Sequence, residues 1–184
     1  MRYGLKEWFE KQGEDVLRRI GITEGQKVLD FGCGSGHYTI PIAKIVGDEG
    51  TVYALDKNSY SLNELMQRAR IEKLTNIKRI DTSGEIKIYL DDESVDVVLL
   101  YDVFWYFTVS DPRLPQLLSE VYRVSRPNAL VSVYPKHIDP KKLQERLESA
   151  RFRLKERLYD TFIHEGTLGR DFVINFSKAT SLKV

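Results

Sequence analysis

The stretch VLDFGCGSGHYT, residues 28–39, decides the fold. An apolar run ending in a carboxylate leads directly into three alternating glycines, Gly32, Gly34 and Gly36. Glycine sits where the backbone needs a positive φ, or where something must come closer than a Cβ allows. The run before the glycines reads as a buried strand. The ring of Pro41 tolerates only the first turn of a helix, so the glycines form a tight bend between that strand and a helix N-terminus. In open α/β sheets the ligand crevice lies beside such a first strand-to-helix turn, and bare amides at the helix start can meet a polar or anionic group.

Outward from this bend, short apolar runs alternate with amphipathic stretches, the pattern of a sheet covered by helices on both faces. The predicted strands are KVLDF (27–31), TVYALD (51–56), IKRID (77–81), VDVVLLYD (95–102) and ALVSVYP (129–135). Val97 to Leu100 form a run apolar on both faces, as a covered parallel strand requires. Helices fill the gaps at roughly 38–46, 59–73, 113–124 and 140–149, the last opened by Asp139 as N-cap and Pro140 at the first helical position. In the last third, FRLKERLYDTF and DFVINFSK read as two strands joined by IHEGTLGR. No helix-length insert separates them, so they form an antiparallel hairpin at one edge of the sheet.

Near the start, LKEWFEKQGEDVLRRI brings Leu5, Trp8, Phe9, Val16, Leu17 and Ile20 toward one helical face, interrupted at Gly13. It is either a helix docked on the sheet or a mobile lid over the site. No repeat, low-complexity tract or linker divides the 184 residues, which read as one domain (1–184) with a helical segment at 1–22.

Composition bounds the partners. Hydrophobic residues at 42% and charged residues at 30% fit a folded soluble domain rather than a disordered chain. With 28 Lys and Arg against 27 Asp and Glu, no overall field draws in nucleic acid or an anionic membrane. The most charged helix, PKKLQERLESARFRLKER, alternates in sign and reads as a solvated face rather than an RNA grip. A single cysteine, Cys33, excludes an internal disulfide and a cysteine-based zinc cage, so no metal is expected and a cytoplasmic setting fits. No apolar run reaches membrane-span length, and MRYGLKEWFEKQ is too charged for a signal peptide.

The loop chemistry separates two cofactors. A dinucleotide fingerprint, G-x-G-x-x-G, needs a third glycine where this chain has His37, and no Gly-Lys-Ser/Thr of a phosphate loop follows. The spacing is instead D-x-G-x-G-x-G, on Asp30, Gly32, Gly34 and Gly36. Asp56, closing the second strand twenty residues after Gly36, can accept two ribose hydroxyls, which suits either nucleoside cofactor.

The stretch VLDFGCGSGHYTIPIAKIVGDEGTVYALD, with SVDVVLLYDVFWYF and LLSEVYRVSRPNALVSVYP, resembles the class I S-adenosylmethionine-dependent methyltransferases, within them the group that includes the ubiquinone and menaquinone biosynthesis enzymes. The resemblance implies a Rossmann-like α/β fold, a seven-stranded mostly parallel sheet in the order 3-2-1-4-5-7-6 with strand 7 antiparallel and helices on both faces. It implies S-adenosylmethionine as cofactor and S-adenosylhomocysteine as product. Asp30 then attracts the ammonium of the cofactor's methionine portion, or simply tethers its own loop. Gly32, Cys33, Gly34 and Gly36 run beside the aminoacyl and ribosyl portions, with Cys33 as a small buried filler. Asp56, with Lys57 beside it, takes the ribose, and Asp81 and Thr82 take the adenine amino group and a ring nitrogen.

The end of strand 4 faces the transferring methyl in such proteins, which places Tyr101 between cofactor and acceptor. Methyl transfer from a sulfonium is an in-line displacement, so the protein chiefly aligns the nucleophile and excludes water. Tyr101, Trp105, Tyr106 and Phe107 can wall such a site, or Phe104, Trp105 and Phe107 can be core contacts. Asp102 is the first candidate base, and His137, on the rim with Tyr134, is the second. Where the family commonly has His-His after strand 4, this chain has Trp105 and Tyr106; where Pro-Gly-Gly commonly precedes strand 5, it has Pro127, Asn128 and Ala129, asparagine tolerating positive φ. The Asn-Pro-Pro-Tyr segment of amino-group methylases is absent, and LYDV stands in its place. The expected activity is methyl transfer to a small-molecule acceptor. An RNA or protein methyltransferase of the same fold, or a cofactor-binding partner protein without turnover, are the competing readings.

Overall fold

The structure, a computed structural model, describes residues 3–179. A helical stretch comes first: α1 (Tyr3–Glu7), a π-helical turn (Trp8–Gln12) and α2 (Gly13–Ile20). Then follow β1 (Lys27–Phe31), α3 (Thr39–Val46), β2 (Thr51–Asp56), α4 (Ser59–Ile71), β3 (Ile77–Asp81), β4 (Val95–Leu100), α5 (Arg113–Val124), β5 (Ser125–Val133), α6 (Pro140–Ser149), β6 (Phe152–His164) and β7 (Thr167–Lys178). Among the described residues the strands form one seven-stranded sheet in the order β3-β2-β1-β4-β5-β7-β6. β1 to β5 are parallel and β7 runs antiparallel to both neighbours, as the resemblance implied.

The strands alternate between two apolar layers. Val28, Val97 and Leu99 face a cluster with Trp8, Leu17, Ile40 and Leu65, while Leu29, Val98 and Leu100 face one with Leu117, Leu147 and Phe176. Both faces of β4 are covered, hence its unbroken apolar run. Asp139 caps α6 by accepting from the amides of Lys141 and Lys142, as its place before Pro140 predicted. Asn128 takes φ +64°, and the turn around it lies inside β5, where the pairing with β4 shifts register between Val95 and Val97. Among the described residues no helix is long and apolar enough to cross a membrane.

Gly13 does not break the N-terminal helix. A Cβ there would meet the Trp8 ring at 2.7 Å, so the glycine is a notch for the indole, which is fully buried and donates to the Thr161 carbonyl at 3.4 Å. The helix is docked on the sheet in this structure, with Phe9 partly buried and stacked on His37 of the glycine bend.

The hairpin differs from expectation. Its turn is only two residues, Glu165 (φ +48°) and Gly166 (φ +68°), both left-handed as a tight antiparallel turn demands, so Ile163, His164 and the segment from Thr167 belong to strands. β5 ends at Val133 opposite Ile174, yet β7 begins at Thr167, leaving about seven residues, roughly 20 Å of paired strand, beyond the register of the sheet's carboxyl edge. This arm carries Ile163 and His164 to the glycine bend.

Candidate functional site

The three glycines answer to two physical reasons. Gly32, Gly34 and Gly36 take φ of +76°, +53° and +83°. A Cβ on Gly32 would meet Val103 Cγ1 at 2.6 Å, and one on Gly36 would meet Leu65 Cδ1 at 2.3 Å, both buried side chains. A Cβ on Gly34 would meet nothing within 4 Å. Two glycines are thus required by the protein's own packing, and the middle one faces open space.

Carboxylates hold this bend. Asp56, at the tip of β2, accepts from the Gly34 amide through Oδ2 and from the Asn58 amide through Oδ1, each at 2.8 Å. Asn58 in turn caps α4 by accepting from the amides of Tyr60 and Ser61. Arg68, on α4, donates to the Ser35 carbonyl at 2.9 Å from the other side. Asp30 is buried, and the Thr39 hydroxyl donates to its Oδ2 at 2.6 Å. Burial pushes the Asp30 carboxyl up to about 6, the Thr39 bond opposes this, and the charge of Asp56 adds to it.

Two cavities open over the carboxyl ends of the strands. One, of about 300 Å³, is lined by Phe31, Leu55, Asp56, Thr82, Glu85 and Phe107 among others. The second, of about 320 Å³, is lined by Asp30, Gly34, Tyr38, Tyr101, Trp105 and His164 among others. They meet at Gly32 and Asp102, which border both. Lys57 also borders the first and lies over the Tyr106 ring at 3.9 Å.

The structure brings Asp30, Gly32, Cys33, Gly34, Asp56, Lys57, Thr82, Tyr101 and Asp102 to these two cavities. Gly36 lies behind them, against Leu65. Asp81 stands apart: Arg79 binds both its oxygens, at 2.7 and 2.6 Å, and Ser59 donates to it at 3.3 Å. That guanidinium holds the exposed Asp81 carboxyl below its ordinary range, and Glu85 lines the first cavity nearby in sequence. Cys33 is buried and its thiol pushed far up by burial and by Asp30 and Asp56, which suits the filler role.

On the acceptor side the candidates divide. The Tyr101 hydroxyl is buried in a 2.8 Å bond with Ser132, and burial raises the phenol well above its usual range, so Tyr101 offers a ring wall and no base. Tyr38 ties the hairpin down, its hydroxyl donating to the Ile163 carbonyl at 2.8 Å and accepting from the Ile163 amide at 2.9 Å. Asp102 follows β4 with φ +55° and meets His164 Nδ1 at 2.7 Å. Burial raises the Asp102 carboxyl, and its bond to His164 opposes the rise. His137, with φ +64°, lies 3.0 Å from His164, Nε2 to Nε2, and stacks on Trp105. Phe104 and Phe107 are buried core contacts, while Trp105 and Tyr106 are about half exposed on the rim.

The sequence reading misses His164 because it stands in a segment that reads as a turn. Its signal is topological: a hairpin with strand 7 antiparallel at the sheet edge must turn at the same edge as the glycine bend. Among the described residues no group of three or more His, Cys, Asp or Glu side chains is disposed to hold a metal ion.

Residues 28–128 match a family model described as a methyltransferase domain. A demethylmenaquinone methyltransferase of Geobacillus stearothermophilus is 34% identical over 124 residues, 65% of this chain and 49% of that protein. A sterol 24-C-methyltransferase of Gibberella zeae is 34% identical over 119 residues, 65% of this chain and 30% of that protein. The chain thus spans about half the length, or less, of these curated relatives. The crystal structure of a SAM-dependent methyltransferase from Aquifex aeolicus superposes with a TM-score of 0.73 at 26% identity, covering 94% of this chain and 92% of that one.

Proposed function

Since this chain belongs to the S-adenosylmethionine-dependent methyltransferases, we propose that it transfers a methyl group from S-adenosylmethionine to a small molecule bound beside Asp102. The observation that carries this is the junction of the two cavities at Gly32 and Asp102, which sets a ligand on the glycine bend against a second space lined with polar groups.

The residues fit the cofactor. Gly34 leaves open the direction that a Cβ would fill, at the bend where backbone must approach a ligand. Asp56, fixed by two amides, keeps lone pairs for the ribose hydroxyls. Asp30 is an anion near neutral pH held at a desolvation cost, which a ligand ammonium would offset. Phe31, Leu55 and Phe107 supply the apolar part of the first cavity, suited to a purine ring, with Thr82 and Glu85 at its edge and Lys57 beside Asp56. Asp81 joins this set only if it leaves Arg79.

When bound, S-adenosylmethionine supplies an electrophilic methyl on a sulfonium centre. The protein's own part is alignment and exclusion of water. Tyr38, anchored to Ile163, holds the hairpin arm over the bend, and Tyr101 and Trp105 wall the second cavity. The inner wall of that cavity, Asp30 and Gly34, serves the aminoacyl end, and its outer wall, Trp105 and His164, faces the acceptor.

The test is calorimetry with S-adenosylmethionine, S-adenosylhomocysteine and NAD, followed by a labelled-methyl screen against small-molecule, RNA and protein fractions. Binding of the first two but not NAD, with label entering the small-molecule fraction, is the expected result. Label in RNA or protein would reassign the acceptor, and binding without any transfer would favour a cofactor-binding partner protein. A cytoplasmic setting belongs to the same proposal, supported by one buried thiol with no disulfide partner in the sequence.

A further inference from the structure

The second cavity has an electrostatic character that the cofactor alone does not use up. Three carboxylates line it, Asp30, Asp102 and Glu165, and no Lys or Arg does. Lys57 and Arg113 border the first cavity, and Arg68 meets the Ser35 carbonyl from behind the glycine bend. Burial and the charge of Arg68 hold the His37 ring below the ordinary histidine range, so it adds no positive charge near neutral pH. S-adenosylmethionine brings an ammonium, a sulfonium and a carboxylate, a net single positive charge, and Asp30 answers the ammonium. Asp102 and Glu165 are left over.

Those two act on one another. Asp102 gives Oδ1 to His164 Nδ1 at 2.7 Å, and its Oδ2 takes no hydrogen bond among the described residues. Burial raises the Asp102 carboxyl, the bond to His164 opposes the rise, and the charge of Glu165 adds to it. A cation placed beside both carboxylates would relieve that repulsion. The rest of the wall suits a cation too. The Tyr38 hydroxyl is taken up by Ile163 and the Tyr101 hydroxyl by Ser132, so neither phenol turns a hydrogen-bond donor toward a ligand. What these rings and the half-exposed Trp105 offer is aromatic surface, whose negative π face attracts ammonium groups.

We propose that the acceptor is a small amine, held as its ammonium by Asp102, Glu165 and the Trp105 ring, and methylated on nitrogen. This deepens the methyltransferase reading and rests on it. The charge flow of the reaction separates the acceptor classes. The amine gives up one proton to water at the cavity mouth, beside the exposed Glu165, and attacks as the neutral base. As its lone pair bonds to the methyl carbon, the carbon–sulfur bond breaks with its electron pair staying on sulfur, and the positive charge moves from sulfur to nitrogen. Asp102, at the junction of the two cavities, then faces a charge that grows during the transfer, an interaction stronger in the transition state than with the free base. A hydroxyl or thiol acceptor does the reverse: it sheds its proton at or before attack and puts negative charge among three carboxylates. An alkene carbon would also turn positive, yet it offers Asp102 and Glu165 nothing to hold beforehand.

Two measurements on the full chain test this. In calorimetry on the protein saturated with S-adenosylhomocysteine, benzylamine, benzyl alcohol and benzoate serve as probes of similar shape and different charge. Benzylamine should bind at least tenfold more tightly than benzyl alcohol, and benzoate should be the weakest of the three. Asp102→Asn keeps an oxygen for His164 and tolerates the left-handed backbone of that position, φ +55°. It should cost benzylamine at least tenfold in affinity and the more exposed Glu165→Gln about threefold, while benzyl alcohol changes less than twofold. With S-adenosylmethionine in place of the product, mass spectrometry should find the methyl on the benzylamine nitrogen. Benzylamine binding no tighter than benzyl alcohol, or indifferent to Asp102→Asn, overturns the proposal, as does methylation of benzyl alcohol in preference to benzylamine.

If none of the three probes binds, charged quenchers decide. The sequence has two tryptophans and Trp8 is fully buried, so caesium and iodide report the potential at Trp105. Relative to free N-acetyltryptophanamide, caesium should quench Trp105 more than iodide does, and Asp102→Asn combined with Glu165→Gln should remove the difference. Equal quenching, or an excess for iodide, overturns the amine acceptor. Calorimetry separates the two failures: no S-adenosylhomocysteine binding ends the methyltransferase reading, whereas binding with a contrary order of probes ends only the amine.

Discussion

Replacing Gly34 and Gly36 in turn by alanine separates a glycine kept for a ligand from one kept for the fold. Both hold left-handed backbone, at φ +53° and +83°, so each alanine carries a strain of about 1–2 kcal/mol. Beyond that they diverge. The Gly36 Cβ would lie 2.3 Å from Leu65 Cδ1, a fully buried side chain, and forcing a methyl into a packed core costs about 1–3 kcal/mol more. The Gly34 Cβ meets no protein atom within 4 Å and adds nothing to the strain. Gly36→Ala should therefore lose about 2–5 kcal/mol in denaturant unfolding, and Gly34→Ala about 1–2 kcal/mol.

Ligand binding should order the two the other way. Gly34→Ala should remain folded yet bind S-adenosylhomocysteine at least tenfold more weakly, about 1.4 kcal/mol, because its methyl occupies the side of the bend left for the ligand. A second arm checks the cause assigned to Gly36: in a Leu65→Ala background the clash is gone, and the added cost of Gly36→Ala should shrink to the backbone strain of about 1–2 kcal/mol. An affinity for Gly34→Ala within twofold of the parent would refute the open-face reasoning. An undiminished Gly36→Ala cost in the Leu65→Ala background would refute the packing account.

Asp56→Ala should weaken S-adenosylmethionine binding at least tenfold by calorimetry, about 1.4 kcal/mol, since it removes ribose acceptors and also frees the Gly34 and Asn58 amides. Asp81→Asn, whose carboxylate is paired to Arg79 outside the cavity, should change that affinity less than threefold, and a tenfold loss would show that the pair opens on binding. Trp8→Ala should lose about 3–5 kcal/mol of unfolding free energy, measured in urea, because the indole is fully buried against the hairpin and the Gly13 notch. Asp30→Asn should stabilise the ligand-free protein near neutral pH by up to about 3 kcal/mol while weakening cofactor binding. Burial raises the folded pKa from 3.8 to about 6, so the native carboxyl favours its protonated form. Its unfavourable contribution is absent below about pH 4, grows as pH rises through 6, and the advantage of asparagine in denaturation curves should follow that course.

Much of this architecture is legible in the chain because its signals are local. The β1 run, the Asp139–Pro140 cap and the doubly apolar β4 each obey a rule spanning a few residues, and all three stand where those rules put them. The reading falters where a contact from afar overrides the local pattern. Gly13 looks like a helix interruption until the Trp8 ring fills the space beside it. Asp81 closes β3 as the sequence suggests, and what its position alone does not reveal is Arg79, two residues away on the same strand, on both its oxygens. His164 looks like a turn residue because Glu165 and Gly166 alone suffice to reverse the chain, which lets the strands run further than their composition suggested.

The same distinction divides the site itself. The groups proposed to hold the cofactor come mainly from β1, β2 and the bends after them, all inside the matched span 28–128. His137, His164 and Glu165 lie beyond that span, on the exit of β5 and the tip of a hairpin that overshoots its sheet. The arm's own ladder satisfies its backbone, and it is anchored to the rest of the protein by Tyr38 and Trp8, by Arg19 on Asp160, by Tyr134 and Lys136 on Asp171, and by Asp102 on His164. On the proposed reading, in which the hairpin tip faces the acceptor, moving that tip should change what is methylated while leaving the affinity for S-adenosylhomocysteine in place.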